Sequence, residues 1–245
     1  MLFKFIKKIK LLRLVLLIFL IGVTVTSIPQ LFHKNKGESI SLGIYSNGSL
    51  KNAYLLPRMG KNFKCYSFLS YYILGREYVN SKVYKTVLDT YSEMEAKHPG
   101  RKFIYMETGR RKGGRPYPHG THQNGLSVDF MSPLKEKDKP VYYNWIGIFR
   151  YTLNFDEDGK KKNNSNVEID FNLMAEHLLI LKKNAVQNGL RIKKVIFKTD
   201  LKDNLFQTEF GKKLKTSGIY FAQKLTPLLN KLHDDHYHVD FEIVN

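Results

Sequence analysis

Hydrophobic and polar positions divide the chain into one long apolar run, two helical periodicities and several short alternating stretches. The run comes first. After Lys4, Lys7, Lys8, Lys10 and Arg13, with no acid among them, residues 14–25 are apolar but for Gly22 and Thr24. A basic start followed by an apolar core is an export signal. A full span needs ~20 apolar residues; counting from Leu11 to Ile28 comes near that, with Arg13 snorkelling to the interface. Val25 and Ser27 are small enough for a cleavage site, yet no Ala-x-Ala stands there. Residues 1–28 therefore read as a cleaved signal peptide or a retained membrane anchor. Both readings send the remainder out of the cytosol, with 29–38 a linker and 39–245 one domain by length.

Within that domain, Val83, Val87, Tyr91 and Met94 recur at helical spacing, predicting a helix over 82–97 capped by Ser81 and ended by His98-Pro99-Gly100. A second helix is expected over 171–188, with Asp170 as its cap and Gly189 as its stop. His177 lies on it and reads as a surface or core residue, not a ligand. Period-two stretches predict strands at 103–106, 126–130 and 192–198. The aromatic run 142–155, followed by Asp-Glu-Asp-Gly, suggests strands and a hairpin turn. Residues 39–59 read as loop and irregular strand over the core, and 220–232 as a short final helix. The expected fold is α+β: a single domain whose central, mostly antiparallel sheet is flanked by helices and carries a cleft.

Two stretches concentrate the chemistry. In 118–130 (PHGTHQNGLSVDF), His119 and His122 sit in a Gly-containing turn before a strand. There Leu126, Val128 and Phe130 share one face, while Ser127 and Asp129 share the other. In 233–241 (HDDHYHVDF), His236 and His238 project from one side, with Tyr237, Val239 and Phe241 behind them. Two imidazoles and a carboxylate held on rigid backbone are a set zinc prefers when a fourth position stays open for water. A metallohydrolase is the reading that follows.

The same residues carry a resemblance. Thr121, His122, Gly125 and Asp129 with a distant His-x-His resemble the metallopeptidase group of lysostaphin-type endopeptidases and D-Ala-D-Ala carboxypeptidases. More closely, His119 to Asp129, the terminal His233, His236, His238 and Val239, and the upstream Tyr45 to Pro57 are similar to the penicillin-insensitive murein endopeptidases. The resemblance spans roughly residues 39–243. It implies zinc on His122, Asp129 and His238, with His119 beside the metal. His236 and His233 are implied as general base or stabilisers of the oxyanion. The implied reaction is hydrolysis of peptide cross-links in peptidoglycan, of the D-Ala–diaminopimelate kind. Two departures stand out. The family's Asp-Gly-x-His, implicated in a second metal, reads Asp158-Gly159-Lys160-Lys161. The family's disulfides have no counterpart either, because Cys65 is the single cysteine.

Charge adds a partner class. Lys and Arg total 40 against 22 acids; without the five N-terminal cations the balance is 35 to 22, a surplus of 13. Nucleic acid suits such a surface, but export points instead to anionic cell wall and lipid headgroups. The expected partners are peptidoglycan and, through the N-terminus, the inner membrane, with no nucleic acid; the expected location is the periplasm or cell envelope. The basic loop 109–120 lacks the Gly-Lys-[Ser/Thr] of a phosphate cradle and reads as the edge of the cleft. Three rival functions remain. Ser132-Pro-Leu-Lys135 matches the Ser-x-x-Lys of acylating enzymes, without the Lys-Thr-Gly or Ser-Asp-Asn that accompany it. The others are a metallocarboxypeptidase trimming D-Ala and a non-catalytic wall-binding protein on the same fold.

Overall fold

The structure is a computed structural model. It describes residues 2–143 and 147–244, with the side chains of all of these but 2–8 and 148. Its centre is a five-stranded sheet in the order Leu190–Ile196, His236–Ile243, Ser127–Met131, Phe103–Tyr105, Phe63–Cys65. All neighbours pair antiparallel except the last two, which are parallel. The mixed α+β class expected from the sequence is the one found. The helices Ser81–Lys97 and Phe171–Gln187 pack on each other and bury Val83, Val87, Tyr91, Met94, Met174, Leu178 and Leu181. Tyr91 stacks on Phe63 at 4.6 Å and tilts against Phe103 at 5.9 Å, joining the first helix to the sheet. His177 belongs to this core: the Tyr237 hydroxyl is 2.9 Å from its Nδ1, and burial drives its pKa down to about 3.

Several elements differ from expectation for local reasons. Asn80, not Ser81, caps the first helix by accepting from the Lys82 amide; the Ser81 hydroxyl accepts instead from the amide of Ser39. Asp170 does cap the second, accepting from Leu173. Residues 39–59 hold an ordered hairpin, Ile40–Ile44 against Asn47–Lys51. The aromatic run forms a 3-10 turn over Gly147–Thr152, part of it (residues 144–146) lying outside the described residues. The hairpin near it is Lys160–Lys161 with Asn164–Ile169. The helix expected over 220–232 shrinks to Pro227–Lys231, begun by Pro227 behind a Thr226 cap, because Phe221 bridges to Val195 as extended chain. Two short helices, Lys202–Gln207 and Glu209–Lys215, and a π-helix, Leu69–Leu74, were not anticipated.

The hairpin matters because it clamps the loop of the first His motif. Gln123 donates its backbone N–H to Tyr45 O and its side-chain amide to Ser46 O, and the Tyr45 hydroxyl donates to Phe241 O. Gly125 then turns the chain into its strand at φ +74°. A β-carbon there would lie 2.6 Å from Leu50 Cδ2 and 3.0 Å from the Asn80 nitrogen. Gly125→Ala should therefore cost about 2–4 kcal/mol, combining a left-handed backbone with overpacking. Thermal unfolding checks this as a fall of several degrees in Tm.

Candidate metal centre

Two neighbouring strands supply most of the centre. Asp129 on Ser127–Met131 stands directly opposite His238 on His236–Ile243. Alternation sends Val128, Phe130, Tyr237, Val239 and Phe241 to the core side. Ser127, Asp129, His238 and Asp240 line the other face, linked in one row. The Ser127 hydroxyl donates to Asp240 Oδ1 at 2.6 Å, and the same oxygen accepts from His238 Nε2 at 2.7 Å. Lys194 pairs with the other oxygen of Asp240 at 3.1 Å. Asp240 thus holds a proton on His238 Nε2 and turns Nδ1 toward Asp129 Oδ1, 2.8 Å away.

The third member arrives from the clamped loop. His122 adopts a left-handed backbone, φ +66°, rare for a side-chain-bearing residue and typical of a position held for function. Its carbonyl passes so close to Gly109 that a β-carbon there would be 2.7 Å away. In this pose His122 Nε2 lies 3.1 Å from His238 Nδ1 and 3.3 Å from Asp129 Oδ2. All three residues are at most 2 % exposed. Burial opposes ionisation of Asp129, yet the charges and hydrogen bonds of His122 and His238 hold its carboxyl well below the usual range. Burial alone would likewise lower the pKa of His238; Asp240 and Asp129 more than offset it, raising it to about 10.

The donor set fits a metal ion. Ligand atoms ~2.0–2.2 Å from a tetrahedral ion stand about 3.3–3.6 Å apart, close to the 2.8–3.3 Å found here. A carboxylate second to one of the imidazoles, the place Asp240 takes, is the usual support of a metal-binding histidine. A second set shares two members: the ligand atoms of His119, His122 and Asp129 lie within 4.8 Å of one another. The set containing His238 is the tighter, and in it no ring nitrogen facing its partners is tied elsewhere. His119, by contrast, has its Nε2 2.6 Å from Glu107 Oε2, its ring perpendicular to His122 at 5.5 Å.

His236 lies on the same strand, opposite Met131. Its Nδ1 donates to Asp235 Oδ1 at 2.5 Å, and among the described residues its Nε2 has no protein partner. Burial lowers its pKa, but the Asp235 charge and hydrogen bond prevail and raise it. His233 stacks obliquely on His236 at 4.8 Å, donating Nδ1–H to Leu229 O; burial, then His236, bring its pKa down to about 3, so it is neutral. Tyr151, from the 3-10 turn, sets its ring perpendicular to His236 at 5.5 Å and tilted to His119 at 6.3 Å. Among the described residues its buried hydroxyl has no partner.

The site therefore includes residues that sequence reading passed over: Asp235, Asp240, Tyr151, and Glu107, which also accepts from Arg76 and the Tyr66 hydroxyl at 2.8 Å each. Asp235 and Asp240 were legible as acids flanking His236 and His238. Glu107 and Tyr151 carried no signal beyond an acid after a strand and one tyrosine among many. Two other expectations can be placed. Lys135 pairs with Glu168 at 3.3 Å, and among the described residues the buried Ser132 hydroxyl has no hydrogen-bond partner, so the Ser-x-x-Lys pattern brings no base to its serine. Lys161, standing where the resemblance expects a histidine, lies over the Tyr143 ring at 5.8 Å. With Phe149, Thr152 and Leu153 those two line a groove of about 520 Å³, reached from the turn that carries Tyr151.

Residues 41–244 match a family model described as penicillin-insensitive murein endopeptidase. No curated protein matches the chain.

Proposed function

The chain belongs to the penicillin-insensitive murein endopeptidases, a family of peptidoglycan hydrolases of the cell envelope, and from that premise we propose that it is a zinc-dependent endopeptidase. Its substrate on this reading is the D-Ala–diaminopimelate type of peptide cross-link. The observation that carries the reading is the convergence of His122 Nε2, Asp129 and His238 Nδ1 within 2.8–3.3 Å. Those three residues would hold the ion, with His119 alongside. When bound, zinc would supply Lewis acidity, polarising the scissile carbonyl and bringing a water toward ionisation near neutral pH.

The remaining work falls to the chain's own groups. Asp240 keeps His238 oriented with Nδ1 turned to Asp129. Asp235 does the same for His236, keeping a proton on Nδ1 and leaving Nε2 to exchange one with the substrate. Hydrolysis adds water oxygen to the carbonyl carbon and breaks the C–N bond, and the departing amine must gain a proton; His236 Nε2 is the group placed to shuttle it. The Tyr151 hydroxyl, without a partner among the described residues, stands beside it as a donor for the developing oxyanion, while neutral His233, its Nδ1–H given to Leu229 O, keeps Nε2 as an acceptor beside His236.

Inhibition separates this reading from its rivals. β-Lactams acylate a nucleophilic serine, whereas an activated water offers nothing to trap. With purified cross-linked sacculi, excess penicillin should leave cleavage of cross-linked dimers unchanged, a strong chelator should abolish it, and zinc should restore it. Covalent labelling by penicillin that disappears in Ser132→Ala would overturn the proposal. So would release of free D-Ala with no loss of dimers, which identifies a carboxypeptidase. Binding to sacculi with no soluble product, even with zinc supplied, identifies a wall-binding protein.

A further inference from the structure

The end of the N-terminal helix is built into the domain. This helix runs over Leu2–Leu31, and its stretch Ile9–Leu31 is long and apolar enough to cross a membrane. From Leu11 to Val25 its large apolar side chains, Val23 apart, stand 50–66 % exposed. One turn later the pattern changes: Ser27 and Gln30 are buried. The helix end packs on the π-helix Leu69–Leu74, and Gln30 fills the space a side chain at Gly75 would need, 2.4 Å from an ideal β-carbon there.

The residues that follow were expected to be a linker, and they have no slack. His33 Nε2 donates to Ala53 O at 3.0 Å and its ring meets Tyr78 edge-on at 5.0 Å. Asn35 holds the Leu55 backbone both ways, accepting its N–H at 2.8 Å and donating to its carbonyl at 3.2 Å. The Tyr54 hydroxyl then binds Gly37 O, and Ser39 exchanges hydrogen bonds with Ser81. A spacer meant to let a tethered domain swing has no use for these contacts.

Whatever packs on the last turn of a spanning helix lies at the depth of that turn. Here that neighbour exposes apolar side chains of its own. Phe68 (56 % exposed) and Leu69 open the π-helix, and Phe32 (76 % exposed) continues the anchor helix. Arg58 lays its guanidinium over the rings of Phe68 and Tyr72 at 5.5 and 5.6 Å, an arrangement that buries the ring faces and leaves the charge at the rim. Exposed Arg111 lies near His33 and adds to the burial that lowers its pKa. Apolar side chains with an arginine laid over them and a second near His33 suit the boundary of acyl chains and anionic headgroups. The five cations at the opposite end of the helix place that end in the cytosol.

The geometry points to a retained anchor and a membrane-seated domain: the helix stays uncleaved, and the face bearing Phe32, Phe68 and Leu69 rests on a bilayer containing anionic phospholipid. This stands independently of the chemistry proposed for the metal centre.

The test uses the full chain, expressed in an exporting bacterial host. Intact mass should show the membrane-bound protein still carrying residues 1–28 and resisting alkaline carbonate extraction. A mature protein beginning near residue 28 and recovered in the soluble fraction would overturn the proposal. The docked face is read separately, by spin labels at Phe68→Cys and, as a control, at Lys212→Cys on the Glu209–Lys215 helix, which packs against Phe171–Gln187. In vesicles of mixed zwitterionic and anionic phospholipid, the label at 68 should collide with oxygen and be shielded from a water-soluble nickel chelate, while the label at 212 shows the reverse. Equal access of the chelate to both sites would mean a tether without a docked face, and would sink the surface assignment. Leu69→Cys replaces Phe68→Cys should that variant fail to fold.

Discussion

Asp129→Ala is expected to empty the metal centre and abolish cross-link cleavage, with activity falling by ~10³-fold or more once the Lewis acid and the group that aligns it are both lost. The carboxylate is the shared partner of the other two ligands, meeting His238 at 2.8 Å and His122 at 3.3 Å. Without it, the two buried imidazoles face each other with no carboxylate between them, since Asp240 meets only the far nitrogen of His238. The strand itself should survive, because the backbone of residue 129 is held by Glu107 O on one side and the Met106 amide on the other. Unfolding curves can therefore distinguish an emptied site from a lost fold. His122→Ala should behave alike. Asp240→Asn, which touches the centre only through His238 Nε2, should weaken metal affinity by the ~10–100-fold typical of a supporting carboxylate. Elemental analysis measures all three. Unchanged zinc in both Asp129→Ala and His122→Ala would remove the ligand assignment.

The two stretches that build the candidate centre were legible because strand periodicity dictates which side chains share a face. Leu126, Val128 and Phe130 needed a core, so Ser127 and Asp129 had to face the other way, and the same logic put His236 with His238. Pairing Asp129 with His238 across two strands depended on register, which no short-range pattern encodes; the resemblance to a family supplied it. The site's supporting acids were harder to read. Glu107 follows the strand Phe103–Tyr105 and Asp129 lies on the neighbouring one, and only folding shows that one reaches His119 while the other reaches His122. The aromatic run misled because aromatic residues favour strands wherever they are half-buried. Here Tyr151 and Phe149 sit on a tight 3-10 turn whose faces look to the metal centre and to the groove. Residues 29–38 read as a linker from composition; that His33 and Asn35 take the carbonyls of Ala53 and Leu55 as partners is not written in their polarity.

His236→Ala should keep the metal and lose turnover. Among the described residues no hydrogen bond joins His236 to Asp129 or His122, so zinc content should stay near one per chain while kcat falls by ~10²–10⁴-fold, the range for a positioned acid/base group. Asp235→Asn sharpens the point. The carboxylate accepts the Nδ1 proton at 2.5 Å and fixes which nitrogen faces the cleft. An asparagine of the same shape can present its amide hydrogens instead, which favours the tautomer with its proton on Nε2 and removes the base. The backbone of residue 235 would be undisturbed, since its carbonyl still accepts from the Ser132 amide at 3.0 Å. The expected result is a loss in kcat approaching that of His236→Ala, with KM and zinc content close to wild type. The double variant should be no worse than His236→Ala alone, because Asp235 acts only through that ring. If the two losses instead multiply, Asp235 has a role of its own. If zinc leaves with His236 while His238→Ala retains it, the strand presents the other imidazole to the metal, and the division between ligand and proton carrier must be exchanged.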